Sequence, residues 1–152
     1  MAVMSSDPVN HNGAATVYVV DDDRGIRESL RELIMSMGLR VECFETGERF
    51  LQTYQPHSAG CLILDMRMPG MNGIEVQESL IDTGYRLPVI IITGHGDIAS
   101  CVRAVKHGAV DFLEKPYRPQ VLRECIRKAL EIDQQQREES ELDAQSTTVY
   151  AV

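Results

Sequence analysis

Residues able to take part in phosphoryl transfer follow short apolar runs at four places along this 152-residue chain. They are Asp21, Asp22 and Asp23 after residues 17–20, Asp65 after 61–64, Thr93 after 89–92, and Lys115 shortly after 110–113. Clustered carboxylates repel one another, and a hard divalent cation such as Mg²⁺ relieves that repulsion by taking their oxygens as ligands. An aspartate beside such an ion, a hydroxyl and an ammonium can act as nucleophile toward a phosphoryl group.

Taken singly, each of these residues also has a structural interpretation. An aspartate or threonine near a strand end commonly caps the next helix, and Asp23 and Thr46 are predicted to do so. A lysine before proline, such as Lys115, is commonly solvated. One such group at each strand end, in chain order, favours a joint site instead. The four histidines show no H-E-x-x-H or similar spacing and are predicted to lie on the surface or in loops.

An alternation of apolar runs and helical periodicity predicts the elements that position these groups. Strands are predicted at 17–20, 41–44, 61–64, 89–92 and 110–113, each followed by a helix. Runs that are apolar on both faces are typical of a buried parallel sheet, and right-handed crossovers place helices on both sides of it. The prediction is an α/β domain with a doubly wound, five-stranded parallel sheet. Ligands of such sheets bind at the carboxyl ends of the strands, where the acidic groups stand.

Other folds and several protein classes fit the sequence less well. Five strands cannot close an eight-stranded barrel, and neither G-x-G-x-x-G after the first strand nor a P-loop motif is present. The 15 basic against 23 acidic residues give a net charge of −8, which disfavours direct binding of nucleic acid. Four scattered cysteines without C-x-x-C favour free thiols. With no apolar run of ~18 residues and no signal-peptide pattern, we expect a cytoplasmic protein without membrane contact.

Four motifs resemble those of the receiver domain of bacterial two-component response regulators, over about residues 16–130. They are Val19-Val20-Asp21-Asp22, the run from Leu64-Asp65-Met66-Arg67 to Gly73, Ile92-Thr93-Gly94-His95, and Glu114-Lys115-Pro116. The resemblance implies the flavodoxin-like receiver fold with strand order 2-1-3-4-5. It also implies a signalling protein rather than an enzyme, with only its own phosphorylation and dephosphorylation as reactions.

The resemblance assigns roles to the acidic residues. Asp65 matches the phosphoacceptor, which takes a phosphoryl group from a partner sensor histidine kinase. Mg²⁺ is the implied cofactor, held by Asp22, Asp65 and the backbone carbonyl of Arg67. Asp21 is expected to act on the ion mainly through water.

The remaining site residues match the switch of the family. Thr93 matches the hydroxyl that moves toward the phosphoryl oxygen, and Lys115 matches the lysine that pairs with the phosphoryl group. The Lys115–Pro116 peptide is expected to be cis. Phe112 stands where relatives often carry tyrosine, so a switch that rotates without a hydroxyl is expected, and the alternative is a core residue.

The readout surface is expected on the fourth helix, fifth strand and fifth helix, where phosphorylation would promote homodimerisation. The residues predicted to lie on or near it are Ala99, Val102, Arg103, Phe112, Arg118 and Leu122, with the apolar ones alternatively in the core.

Three segments are predicted: a flexible leader at 1–15, the receiver domain at 16–131, and a helical or disordered linker or tail at 132–152. The pattern Gly94-His95-Gly96-Asp97 with residues 108–112 resembles receivers whose regulators carry a LuxR-type helix-turn-helix output. No such output motif occurs in these 152 residues. DNA contact is therefore expected only through an output domain outside this chain, which would be a fragment, or else a stand-alone receiver.

Two rival functions use the same residues. A Mg²⁺-dependent aspartyl-phosphate phosphohydrolase of the haloacid dehalogenase type also uses aspartate, a hydroxyl and lysine. Its D-x-D motif would need an aspartate where Arg67 stands, and 152 residues leave no room for a substrate-capping insertion. An interaction module that is never phosphorylated is disfavoured because the set of acidic residues is complete.

Overall fold

The computed structural model describes residues 15–94 and 98–151, and the described part forms a five-stranded sheet with parallel neighbours throughout. The strands are β1 (Thr16–Val20), β2 (Arg40–Phe44), β3 (Gly60–Asp65), β4 (Val89–Thr93) and β5 (Asp111–Glu114), in the order β2-β1-β3-β4-β5. The helices are α1 (Arg24–Ser36), α2 (Gly47–Thr53), α3 (Gly73–Ile81), α4 (Ile98–Lys106) and α5 (Pro119–Ala151). The predicted fold class and strand order are confirmed.

Two hydrophobic cores lie on opposite faces of the sheet. Alternate residues of a strand point to opposite faces, so Val17 and Val19 join one core while Tyr18 and Val20 join the other. Helices α1 and α5 cover the first face, and α2, α3 and α4 cover the second. Burial on both faces is the physical reason why the central strands read as continuous apolar runs.

Local hydrogen bonds fix where three helices begin. Asp23 and Thr46 cap α1 and α2 as predicted, each side chain accepting a backbone N–H three residues ahead at 3.0 and 3.1 Å. Asn72 and Glu75 form a capping box at the start of α3, with bonds of 2.9 and 2.8 Å. A helix after β3 was predicted from the sequence, but this capping box was not. The box fixes α3 directly after the loop that carries Arg67.

Some predictions fall on residues outside the described part of the chain. Apart from Ala15, the predicted leader at 1–15 lies there, and so does Asp97, the predicted cap of α4. Among the described residues, no helix has the length and apolar character needed to cross a membrane.

The last helix is the longest element, with 33 residues. It opens with Pro119, a residue suited to the first helical position because its missing N–H needs no partner there. It passes the predicted domain end at residue 131 without a break. Asp133, two residues further on, is only 3% exposed. The packed part of the protein therefore extends into the segment predicted to be a linker.

Candidate functional site

Strand register brings the predicted site residues together at the carboxyl edge of the sheet. Val20 pairs with Leu64, so Asp21 follows β1 directly beside Asp65 at the end of β3. Asp65 in turn pairs with Ile92, the residue before Thr93. Residues far apart in sequence thus lie together at this edge, because the strands are parallel and in register. We call this edge, with Asp21, Asp22, Asp65, Thr93 and Lys115, the rim.

Three carboxylates lie close together at the rim. One oxygen each from Asp21, Asp22 and Asp65 lies within 4.8 Å of the others. Asp21 and Asp65 are buried, at 2% and 5% exposure, whereas Asp22 faces solvent. The packing of α3 against β3 is tight, because a Cβ at Gly73 would lie 3.1 Å from the Asp65 carbonyl oxygen.

Among the residues that the structure describes, the ammonium group of Lys115 faces the two buried carboxylates. Lys115 Nζ lies 3.6 Å from Asp21 Oδ2 and 4.0 Å from Asp65 Oδ1, beyond hydrogen-bonding distance of either. The Lys115–Pro116 peptide is cis, as expected. Among the described residues, three carboxylates therefore face the ammonium group of Lys115.

Among the described residues, backbone N–H groups donate one hydrogen bond to each of the two buried carboxylates at the rim. The amide of Asp23 donates to Asp21 Oδ1 at 2.9 Å. The amide of Arg67 donates to Asp65 Oδ1 at 3.3 Å, a long bond. Asp65 therefore depends on weak partners for its charged form.

The electrostatic result is a pair of aspartates that hold their protons unusually well. Burial, followed by the charge of Asp21, raises the pKa of Asp65 to about 6, although Lys115 and the Arg67 amide act in the opposite direction. Burial also raises the pKa of Asp21. A cation at this rim would relieve the burial and the repulsion together.

The donor set suits Mg²⁺. The carboxylates of Asp21, Asp22 and Asp65 are hard oxygen donors, which is the chemistry that this ion prefers. Arg67, the other predicted ligand, follows Asp65 by two residues in the same loop. The residues present therefore fit a divalent cation of this class.

The buried hydroxyl of Thr93 lies next to the rim, and within the described part of the chain it has only a long hydrogen bond. Thr93 is 2% exposed, and its Oγ1 lies 3.5 Å from the Gly94 carbonyl oxygen, long for an O–H···O bond. The Thr93 carbonyl accepts the backbone N–H of Lys115 at 2.8 Å. This bond links the loop of the hydroxyl to the loop of the ammonium.

The residues predicted to lie on or near the readout surface differ in exposure. Phe112 is 45% exposed, so its alternative interpretation as a core residue is wrong. Val102 of α4 and Val121 of α5 are exposed at 49% and 43%. Leu122 is fully buried against the sheet and belongs to the core, because its neighbour Val121 takes the outward position.

Sequence reasoning missed a further buried carboxylate, that of Asp133, at the opposite edge of the sheet. Asp133 contacts Gly60, Tyr85 and Arg137, none of which was predicted to carry a role. A signal was present in the sequence. The buried stripe of α5 reads Leu122, Ile126, Ala129 and Asp133, at steps of four, three and four residues, so an aspartate stands where an apolar residue is expected.

Comparisons with known proteins agree with this geometry. A family model described as the response regulator receiver domain matches residues 17–127. The response regulator protein TodT of Pseudomonas putida is 48% identical over 124 residues, which cover 82% of this chain and 55% of TodT. The transcriptional regulatory protein FixJ of Bradyrhizobium diazoefficiens is 42% identical over 114 residues, covering 75% of this chain and 56% of FixJ.

A solved structure extends the similarity to three dimensions. The response regulator StyR superposes with a TM-score of 0.85 at 44% identity, covering 90% of this chain and 69% of StyR. The chain spans about 55% of the length of the curated relatives it matches.

Proposed function

This chain belongs to the response regulator receiver domain family, and we propose from that premise that Asp65 is its phosphoacceptor. The chain is the receiver domain of a two-component response regulator. The observation that carries the assignment of Asp65 is its environment: a buried carboxylate with a raised pKa, beside two further carboxylates and 4.0 Å from one ammonium. Such a group gains most from a cation and a transferred phosphoryl group.

The transfer follows from the chemistry of the partners. A carboxylate oxygen of Asp65 attacks the phosphorus of a phosphohistidine on a sensor histidine kinase. The O–P bond forms, the N–P bond breaks, and the kinase imidazole keeps the electron pair of the broken bond and takes up a proton. Mg²⁺, when bound, supplies positive charge for the phosphoryl oxygens and the carboxylates. Asp22, Asp65 and the Arg67 carbonyl are the groups we assign to it, with Asp21 acting through water.

Two side chains, those of Lys115 and Thr93, respond to the negative charge that the phosphoryl group adds. Lys115, which Asp21 and Asp65 share in the unphosphorylated protein, pairs with a phosphoryl oxygen after transfer. Thr93 has a weakly bonded hydroxyl and donates it to another phosphoryl oxygen. Movement of Thr93 then shifts the neighbouring β5 and α4, including the exposed ring of Phe112.

The output that we propose is homodimerisation of a cytoplasmic regulator. The exposed apolar side chains of Val102, Phe112 and Val121 lie on α4, β5 and α5, and they support a self-association surface there. Binding of DNA would require a separate output domain, since this chain has a net charge of −8. A relative named as a transcriptional regulatory protein supports that output.

Phosphorylation with a small donor tests the assignment. Acetyl phosphate and Mg²⁺ should label the parent protein once per chain, with slow loss of the label rather than continuous turnover. Asp65→Asn should remove the label, and Asp82→Asn, at the far end of α3, should keep it as the matched control. A labelled Asp65→Asn protein would refute Asp65 as the acceptor. Steady hydrolysis of the donor would instead favour a phosphohydrolase.

A further inference from the structure

The buried carboxylate of Asp133 lies on α5, in the segment that follows the predicted domain end. It is 3% exposed and accepts three hydrogen bonds. The Gly60 amide donates to Oδ2 at 3.0 Å, Arg137 Nε donates to the same oxygen at 2.9 Å, and the Tyr85 hydroxyl donates to Oδ1. We call Gly60, Tyr85, Asp133 and Arg137 the linker clamp.

The donors come from separate parts of the fold. Gly60 begins β3, and Tyr85 lies in the loop between α3 and β4. Arg137 stands one turn further along α5 than Asp133. The clamp therefore joins α5 to the amino end of β3 and to the loop that precedes β4.

A second layer of contacts extends the attachment. The Arg137 guanidinium donates to the His57 carbonyl and lies 5.3 Å from the centroid of the Tyr85 ring. Gln136 donates to the Arg86 carbonyl at 3.1 Å. Two consecutive residues of α5 thus bind two different loops, which fixes the rotation of the helix as well as its position.

Gly60 shows how closely the elements approach. Its φ is +150°, and a Cβ added there would lie 1.9 Å from the Thr16 carbonyl oxygen. Only glycine can bring this amide between β1 and the carboxylate of Asp133. Glycine at position 60 is therefore needed both for the close approach to β1 and for the hydrogen bond to Asp133.

Apolar packing of the helix weakens toward this point, where Leu130 is only partly buried against the core. The last fully buried apolar residue of the described stripe is Ala129, while Gln134, Gln135 and Glu138 are exposed. A polar helical segment without apolar burial is marginal by itself. Rotation of α5 by one residue, about 100°, would remove Asp133 from all its partners outside the helix.

We propose that the linker clamp makes the first turns of α5 beyond residue 131 one rigid body with the receiver, and so sets the direction in which this helix leaves the domain. The same β3 carries Asp65 at its other end, about 17 Å away at the usual rise per residue. The clamp is a positioning device, distinct from the phosphorylation site, and it goes beyond the proposed function.

Distances between two spin labels test the direction of the helix. Labels at exposed positions 29 on α1 and 141 on α5, in a Cys43→Ser background, should give one narrow distance distribution in the otherwise unchanged protein. Asp133→Ala and Tyr85→Phe should each widen that distribution at least twofold. Glu131→Ala, at an exposed position of the same helix, is the matched control and should leave the width unchanged.

The outcomes separate a positioning role from general stabilisation. Unchanged distributions in both clamp variants, with circular dichroism showing folded protein, would overturn the proposal even if thermal stability falls. Tyr85→Phe removes only one hydroxyl, so it keeps the test available if Asp133→Ala fails to fold. The measurement uses unphosphorylated protein, so its result is independent of whether Asp65 accepts a phosphoryl group.

Discussion

The buried carboxylates at the two edges of the sheet differ in the hydrogen-bond donors that surround them. At the carboxyl edge, Asp65 has a second buried carboxylate beside it, one long backbone hydrogen bond and an ammonium at 4.0 Å. At the amino edge, Asp133 accepts bonds from a backbone amide, a phenol and a guanidinium. Burial is similar, at 5% and 3% exposure, so burial alone does not distinguish the two.

The difference lies in the balance of partners. A buried charge with a full set of donors stabilises one arrangement of the chain, and loss of a donor is then expensive. A buried charge with too few donors lowers stability until a ligand supplies the missing interactions. The under-partnered edge is therefore the one that we assign to ligand chemistry, and the fully partnered edge is assigned to architecture.

The largest expected effect is on phosphorylation. If the two edges differ in function, Asp65→Asn should lower labelling by acetyl phosphate more than 100-fold, because the nucleophile is lost. Asp133→Asn should change the labelling rate less than twofold. Equal loss in both variants, with both proteins folded, would remove the functional distinction between the edges.

The next effect concerns stability at the amino edge. Arg137→Met should lower the free energy of unfolding by about 2–3 kcal/mol, because Asp133 stays buried without its cationic partner. Urea denaturation measures the change. Arg127→Met removes an exposed ion pair with Glu124 on the same helix and should cost less than about 0.5 kcal/mol. Equal losses would mean that the clamp is no stronger than a surface pair.

At the carboxyl edge, removing a charged side chain is expected to increase the free energy of unfolding rather than to lower it. Without Mg²⁺ at pH 8, Asp65→Asn should raise the free energy of unfolding by up to about 3 kcal/mol. The folded-state pKa of Asp65, about 6, lies above its ordinary value of 3.8, so ionisation above pH 6 opposes folding. The gain should be full above pH 6 and should shrink as the pH falls from 6 toward 4. Denaturation curves at pH 8 and pH 4 give the comparison, and a pH-independent gain would point to a packing effect.

The smallest effect concerns metal binding. Mg²⁺ at ten times its dissociation constant should stabilise the parent by about 1.4 kcal/mol, through binding to the folded state alone. Asp22→Asn should weaken this stabilisation, whereas Tyr85→Phe should leave it unchanged although its starting stability is lower. Thermal unfolding with and without Mg²⁺ measures both, and equal responses of the two variants would contradict a carboxyl-edge cation site.

The carboxyl edge was predictable because its signals are local. Asp65 and Thr93 stand at the ends of apolar runs, and a parallel sheet brings such ends together whatever the loops do. The caps Asp23 and Thr46 were predictable for the same reason, since their partners lie three residues away. Strand β5 begins only one residue later than predicted.

The amino edge was not predictable in this way. Tyr85 and Gly60 lie 48 and 73 residues from Asp133 in the chain, and no short motif connects them. The polar composition after Leu130 is typical of a solvated linker, which led to a predicted domain end at residue 131. A polar side chain that finds its partners in the fold can be buried within a segment that composition alone assigns to solvent.

The outward position of Phe112 likewise depends on the fold rather than on the local sequence. An aromatic residue within a strand is more often buried, but β5 is the edge strand, and its residues alternate between half-buried and exposed. The outward position depends on a register that the sequence pattern does not determine for a four-residue strand.

The uninterrupted length of α5 turns a small angular change into a large displacement. From Asp133 to Ala151 the helix advances about 27 Å at 1.5 Å per residue. A tilt of about 10° around the clamp would move the far end by roughly 5 Å, close to the pitch of one helical turn. The direction that the clamp gives α5 at Asp133 therefore sets the position of the far end of the helix to within about the size of a side chain.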